Sequence, residues 1–420
     1  MYILMVIAFV LGYFFIAMEH PFKIDKAASA ILTGVICWTI LIFGKETILA
    51  GMPVEEIDSV LLEHVGEIAE ILFFLLGAMT IVELIDAHDG FKVVTSKIAT
   101  VNRIKLIWII SIITFFFSAL LDNLTTSIVM AALLRKLMTK RDNIWLFGGM
   151  VVVAANAGGA WSPIGDVTTI MLWIGGQVTA LNIVLKVFLP SVFCLLIPLV
   201  AISTYLKGDV VRPEDDKDSE ESATASTFEQ KLIFWMGVGG LLFVPVFKNV
   251  THLPPFLGML FSLGVLWVTT EIIHRRKKEN SHDGLLVAAV LRRVDTPSVL
   301  FFLGILLAVA SLQTAGHLAQ LATAMDKHFG NIYAINTLIG LLSAVVDNVP
   351  LVAGAMGMYS MDIYPVDHAF WELLAYCAGT GGSVLIIGSA AGVAIMGILK
   401  IDFIWYLKKI SWLALIGYFA

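Results

Sequence analysis

The sequence predicts an all-α, polytopic membrane protein made of two inverted-topology repeats, each with a re-entrant helical hairpin and a broken transmembrane helix. Two observations predict the membrane class: hydrophobic residues make up 59% of the 420 residues, and charged residues only 14%. So few charges cannot cover a soluble surface of this size. The third observation is that polar and Gly/Pro clusters interrupt several apolar stretches at membrane depth, which is typical of transporters.

Membrane crossings need about 20 apolar residues each. Eight stretches are predicted to be ordinary crossings: 2–18, 27–43, 68–86, 181–206, 231–247, 255–273, 297–313 and 402–419. Three further apolar stretches do not divide cleanly into spans: 104–138, 145–178 and 331–399. The interruptions within these three are where we expect the functional residues.

Two polar linkers organise the chain. Residues 207–230 are acidic and rich in Ser, which predicts a flexible cytoplasmic tether between an N-terminal half, 1–206, and a C-terminal half, 231–420. Residues 274–296 contain six Lys and Arg, which predicts a cytoplasmic loop. By alternation, the acidic segment 44–67 is predicted to be an external loop.

Hairpins are predicted from the flanking charges. Basic residues stand at both ends of 104–138, which places both ends in the cytoplasm and predicts a hairpin that turns at 121–124. Residues 331–361 contain a similar turn at 347–350, but their flanks are nearly free of Lys and Arg, so this hairpin is predicted to enter from outside. A broken helix follows each hairpin, at 145–178 and 368–399.

An internal repeat relates the two halves. FFFSALLDNLTTSIV (115–129) resembles GLLSAVVDNVPLVAG (340–354), and GGAWSPIGDVTTI (158–170) aligns with GGSVLIIGSAAGV (381–393). A third block, LFFLLGAMTIVELID (72–86), aligns with LFFLGILLAVASLQT (300–314). The blocks occur in the same order at nearly the same offset. Because the hairpins are predicted to enter from opposite sides, the repeats are predicted to be inverted.

Oxygen-bearing side chains cluster at the first-half interruptions. They are Asp122, Asn123, Thr125, Thr126, Asn156, Ser162, Asp166, Thr168 and Thr169. Hard oxygen ligands suit a hard cation, and we predict a sodium ion at Asp122, Asn123, Asn156 and Asp166. A carboxylate is costly to bury in ionised form, so it should bind either a proton or a metal ion. The second half offers a less acidic set: Ser343, Asp347, Asn348, Thr380, Ser383 and Ser389.

Purely structural interpretations remain open. Asp122, Asp166 and Asp347 are well placed to cap the helices that follow them, and the hydroxyls of Thr168 and Thr169 can bond to their own backbone. Near the end of the third predicted span, Glu83, Asp86 and His88 are either interfacial residues or parts of an ion pathway and pH sensor.

FFFSALLDNLTTSIVM and NAGGAWSPIGDVTTIMLW resemble the NhaD-type sodium/proton antiporters of the ion transporter superfamily. The resemblance implies exchange of sodium, or lithium, for protons by alternating access. By the same resemblance, the residues essential for exchange are Asp122, Asn123, Asn156, Asp166, Thr168 and Thr169, and Ser343, Asn348 and Ser383 match in the second half.

Other functions are weighed against this one. The superfamily also contains arsenite permeases and citrate and divalent-anion transporters, so an anion carrier is the alternative. The Asp-Asn pairs at both predicted tips differ from the Ser-Asn-Thr of the anion symporters, which disfavours an anion carrier. A membrane-embedded enzyme is disfavoured because HExxH and GxGD motifs are missing. We expect no cofactor besides the transported sodium ion and proton, and no nucleic-acid partner. We expect the protein to lie in a bacterial inner membrane. The sequence is compatible with a monomer and with a homodimer.

Overall fold

The computed structural model describes residues 1–49, 52–212, 226–275 and 285–420, and this part of the chain is helical apart from one isolated bridge between Asn102 and Asp209. The helices of the first half are α1 (Tyr2–Ala17), α2 (Glu19–Phe22), α3 (Lys26–Phe43), α4 (Lys45–Ile48), α5 (Val54–Ala87), α6 (Lys92–Thr95), α7 (Arg103–Leu121), α8 (Asn123–Leu137), α9 (Arg141–Ala160), α10 (Val167–Ile174) and α11 (Ala180–Tyr205). Those of the second half are α12 (Thr227–Thr251), α13 (Pro255–Arg275), α14 (Val287–Val290), α15 (Thr296–Thr314), α16 (His317–Phe329), α17 (Ile332–Leu342), α18 (Asn348–Met358), α19 (Ala369–Gly381), α20 (Ala390–Leu399), α21 (Phe403–Lys409) and α22 (Ser411–Tyr418).

Membrane-spanning capacity is confirmed. The predicted crossing 2–18 corresponds to α1, which is a shorter apolar helix, whereas α7 and α9 of the interrupted stretches are long enough to span. In the described ranges, eight helices are long and apolar enough to cross a bilayer: α3, α5, α7, α9, α11, α12, α13 and α15. The number is nine if α20 and α21, which are bent by 117° relative to each other, form one broken span. The chain is therefore a multi-pass membrane protein.

Two predicted boundaries are wrong. Much of the predicted loop 44–67 is helical, because α5 begins at Val54 and runs unbroken into the apolar span. Glu55 and Glu56 in its first turn favour a helix there, since acidic side chains stabilise the positive end of the helix dipole. The predicted crossing 402–419 is two short helices that meet at Ile410, and Lys408 and Lys409 end the first of them.

The predicted tether is partly structured. Its first residues lie against the loop before α7, where Arg103 N–H donates to Gly208 O at 3.1 Å and Val210 N–H donates to Val101 O at 2.8 Å. Residue 211 also accepts a bond from Thr139 N–H at 3.1 Å. Residues 213–225, where the tether was predicted, and 276–284 of the basic linker lie outside the described residues.

Equivalent contacts join α7 to α9 in the first half and the end of α17 to α19 in the second. Ser118 Oγ donates to the carbonyl of residue 155 at 2.5 Å, and Ser343 Oγ donates to that of residue 378 at 2.8 Å. Gly158 and Gly381 also occupy matching places, where an added Cβ would lie 2.1 Å and 2.0 Å from a backbone carbonyl oxygen. Only glycine allows such a close approach of two backbones.

The two broken helices contact each other head to tail. At one end, Trp145 Nε1 near the start of α9 donates to Leu399 O at the end of α20, at 3.2 Å. At the other end, Asp367 N–H, just before α19, donates to Gln177 O, just after α10, at 2.9 Å. The start of each broken helix therefore lies at the end of the other.

Candidate functional site

Four interruptions meet in the interior of the bundle: residue 122 between α7 and α8, residues 161–166 between α9 and α10, residues 343–347 between α17 and α18, and residues 382–389 between α19 and α20. Each leaves helix ends whose backbone groups have no partners within the helix. Side chains from these segments and from α9 form one buried hydrogen-bonded network, which we call the Asp166 cluster: Asn123, Asn156, Asp166, Asn348, Ser383 and Ser389.

Asp166 lies at the centre of the cluster and is only 1% exposed. Its Oδ2 accepts from Asn123 Nδ2 at 3.0 Å and from Asn348 Nδ2 at 3.2 Å, so amides from both hairpin segments converge on one oxygen. Its Oδ1 accepts from Thr168 N–H at 3.0 Å, which makes Asp166 the N-cap of α10. Asp166 is thus both a cap and the shared acceptor of the two halves.

Asn156 extends the network into the second half. Its Oδ1 accepts from Asn123 Nδ2 at 3.1 Å, and its Nδ2 donates to Ser383 Oγ at 3.0 Å and to Ser389 Oγ at 2.9 Å. Ser389 in turn caps α20 by accepting from Gly392 N–H at 3.2 Å. One amide in the middle of the bundle therefore connects the breaks of both repeats.

The aspartates at the two tips stand beside this network rather than in it. Asp122 accepts from Thr125 N–H at 2.8 Å and from Thr125 Oγ1 at 2.9 Å, and caps α8. Its backbone has φ +76° and ψ 160°, a region that is essentially restricted to glycine and costs on the order of 1–3 kcal/mol for other residues. Asp347 caps α18 through Val349 N–H at 3.4 Å and pairs with Lys26 at 3.6 Å. The role of Asp122 as a sodium ligand stays a prediction.

Most of the other predicted hydroxyls bond to backbone carbonyls. At 2.5–2.9 Å, this group comprises Ser162, Thr169, Ser343 and Thr380. They hold the shape of the breaks and keep their hydroxyl lone pairs for other partners. The buried hydroxyls of Thr126 and Thr168 differ, since neither has a hydrogen-bond partner among the described residues.

Glu83, Asp86 and His88 lie away from the cluster, in the last turns of α5 and just after it. Glu83 is half-buried and Asp86 is exposed. His88 is buried, its Nδ1 lies 2.7 Å from Leu84 O, and its ring packs edge-on against that of His274 with centroids 5.2 Å apart. The part of these three residues in a pathway or in pH sensing stays a prediction.

Two site residues were missed in the sequence. Tyr406, on α21, is fully buried and donates its hydroxyl to Ser383 O at 2.7 Å, and Lys26 pairs with Asp347. Both contacts join residues far apart in the chain. No local motif signals them, because a lysine at the start of an apolar span is an ordinary interfacial residue.

Comparisons with known proteins agree with this architecture. A family profile described as "Citrate transporter" matches residues 13–379. Sodium/proton antiporter 1 of Arabidopsis thaliana is 48% identical over 419 residues, which are 99% of this chain and 70% of that protein. Sodium/proton antiporter 2 of the same plant is 44% identical over 417 residues, covering 99% and 97%.

Bacterial relatives are more distant. The Na(+)/H(+) antiporter NhaD of Vibrio cholerae is 29% identical over 429 residues, which are 95% of this chain and 86% of that protein. The resemblance to NhaD-type antiporters is therefore confirmed, and both the family and the relatives are transporters rather than enzymes. With the profile covering most of its length, the chain belongs to the citrate transporter family of the ion transporter superfamily.

Proposed function

We propose that this protein exchanges sodium for protons across a membrane by alternating access, and that the Asp166 cluster is where the two ions compete. The observation that carries the proposal is a single buried carboxylate, Asp166, that is shared by amides from both halves. Relatives named as sodium/proton antiporters align over nearly the whole chain.

The cluster has the chemistry that such competition needs. Sodium is a hard cation that prefers oxygen ligands, and rotation of an Asn side chain exchanges its NH2 for its carbonyl oxygen. Asn123 and Asn348, which donate to Asp166 here, would then present oxygens to an ion held by the carboxylate. The unpartnered hydroxyl of Thr126 adds a further oxygen. When the ion leaves, a proton on Asp166 removes the cost of burying the charge.

Inverted repeats with re-entrant hairpins are part of the proposal. The head-to-tail contacts between the two broken helices support an antiparallel course for them. Both ends of 104–138 lie beside residues 207–212, which supports a hairpin that enters and leaves on one side. Movement of these elements against the remaining helices would expose the Asp166 cluster to each side in turn.

An anion carrier fits the cluster poorly. Binding a carboxylate or arsenite group requires cationic or multiple N–H donors aimed at the substrate. The one charged side chain in the hydrogen-bonded network is itself an acid, Asp166, which would repel an anion. Lys26 pairs with Asp347, the residue before Asn348 of the cluster.

The membrane and a second transported cation complete the proposal. We propose a bacterial inner membrane and transport of lithium as well as sodium, since the two ions share the same ligand preference. The relatives come from a plant as well as from bacteria.

Exchange is tested in everted vesicles that carry a pre-formed proton gradient reported by a quenched dye. We expect sodium and lithium to restore the fluorescence, while potassium and citrate leave it unchanged. Vesicles with Asp166→Asn protein at equal abundance are the control and should not respond. A response to citrate or arsenite without one to sodium would replace exchange by the anion carrier.

A further inference from the structure

A cavity of about 430 Å³ touches the Asp166 cluster at one member, Ser389. Its lining is mostly apolar but also includes Glu19 and Lys26, at the connection between α1 and α3. Ser389 accepts the 2.9 Å hydrogen bond from Asn156, so the cavity reaches a member of the cluster. Charged side chains in the wall of a cavity favour water inside it over lipid.

The ion pair of Lys26 and Asp347 stands in the wall of this cavity. Their Nζ and Oδ2 atoms are 3.6 Å apart, and the two side chains are 23% and 17% exposed, so both remain in reach of water. Lys26 Nζ also lies 4.4 Å above the ring of Phe301 on α15. The lysine is thereby held between α3, α15 and the tip of the second hairpin segment.

A difference between the repeats explains why Asp347 takes this partner. In the first half, Asp122 uses both its oxygens to accept bonds from Thr125. The equivalent of Thr125 in the second half is Pro350, which has neither an N–H nor a hydroxyl. Asp347 keeps only a long cap bond of 3.4 Å, so its carboxylate is available to a cation.

We propose that this cavity is the ion route between the Asp166 cluster and one aqueous phase, and that Lys26 is a built-in cation that controls Asp347 within it. The proposal rests on the proposed sodium/proton exchange. While Lys26 neutralises Asp347, a sodium ion passes without being held in the wall of the cavity. Lys26 is thus a positioning residue, and Asp347 connects it to the neighbouring Asn348, which donates to Asp166.

Removing one charge of the pair or the other should shift the sodium concentration for half-maximal transport in opposite directions. Lys26→Met leaves a free carboxylate in the cavity, so this concentration, for sodium applied from the cavity side, should fall roughly three- to ten-fold, and the maximal rate should also fall. Asp347→Asn leaves a free ammonium, so the concentration should rise by a similar factor. The double variant should return to within about two-fold of the parent, since the net charge is restored.

The half-saturating sodium concentrations are measured from the sodium-dependent proton flux in proteoliposomes of uniform orientation, with sodium added on one side or the other. Lys26→Arg keeps the cation and should stay close to the parent. Lys23→Met removes an exposed lysine of the same loop and should change nothing. Shifts of the same sign in both single variants, or a double variant worse than either, would mean that the pair only stabilises the fold and would overturn the proposal.

Accessibility of the cavity gives an independent readout. Val393 lines the cavity, whereas its neighbour Ala394 does not, and the two make a matched pair of cysteine substitutions in a background without the three native cysteines. A membrane-impermeant cationic thiol reagent should label Val393→Cys from one side only, and faster when Lys26→Met is added. Equal labelling of the two cysteines would refute the route, even if Asp166→Asn still abolishes exchange and the proposed function stands.

Discussion

Replacing Asp166 by Asn tests the proposed site most directly. The substitution keeps an oxygen for Thr168 N–H, which lies 3.0 Å from Oδ1 here, and Asn is as good an N-cap as Asp. At Oδ2, however, an NH2 group would face the amides of Asn123 and Asn348. Three NH2 groups cannot bond to one another, so one neighbouring amide must rotate and give up its present partner.

The expected magnitudes differ for stability and binding. The rearrangement leaves one buried amide without its partner, which should lower the free energy of unfolding by about 1–3 kcal/mol. Sodium loses its counter-charge in a buried site, a loss of about 3–5 kcal/mol. That corresponds to a sodium affinity on the order of 10²- to 10⁴-fold weaker.

Sodium binding to the detergent-purified protein, measured by calorimetry across a pH series, is the assay. In the parent, a carboxylate must release its proton to admit the ion, so sodium affinity should weaken as pH falls, by up to roughly ten-fold per pH unit when one proton is displaced. In Asp166→Asn, any residual affinity should not depend on pH.

Asp402→Asn is the matched control for this substitution. Asp402 is also an N-cap, accepting from Trp405 N–H at 2.9 Å, but it caps the exposed start of α21. This variant should bind and exchange like the parent. If Asp166→Asn still binds sodium with normal strength and the same dependence on pH, the reasoning is refuted and Asp166 is only a helix cap.

Three further predictions address the first tip, the close backbone contact and the topology. Asp122→Gly should relieve the strained backbone and keep or raise the melting temperature, yet abolish vesicle exchange if Asp122 is a sodium ligand; retained exchange would make it a cap only. Gly381→Ala places a Cβ 2.0 Å from Gly340 O and should sharply reduce the yield of folded protein in detergent chromatography, whereas Gly397→Ala, with open space around it, should stabilise α20 by up to about 1 kcal/mol. Cysteines at positions 100 and 140 should both be labelled from the cytoplasm, and cysteines at 327 and 364 from outside; labelling of 100 and 140 from opposite sides would remove the first hairpin.

Sequence patterns predicted the features that are encoded locally. Gly, Pro and Asx clusters cannot continue a helix without loss, so the breaks at 161–166 and 382–389 were visible in the chain. The long first part of α5 was not predicted. An acidic segment beside a membrane span resembles a loop in composition, although its residues form helix readily.

Contacts between distant residues could not be predicted in this way. The bond from Tyr406 to Ser383 and the pair of Lys26 with Asp347 depend on how helices pack, which periodicity does not specify. The exchange of Thr125 for Pro350 between the repeats was visible in the sequence. Its consequence, a carboxylate left available to a lysine from α3, appears only when the helices are assembled.

The repeat also separates the charge of Asp166 from its capping role. Ser389 stands at the equivalent place and caps α20 through Gly392 N–H, just as Asp166 caps α10 through Thr168 N–H. A serine is therefore sufficient to cap a half-helix in this architecture. Capping alone gives no reason to bury a carboxylate, which costs free energy unless its charge is used or neutralised. If Asp166 is where sodium and a proton compete, as we propose, a carboxylate at this place and a serine at the equivalent place is the expected arrangement.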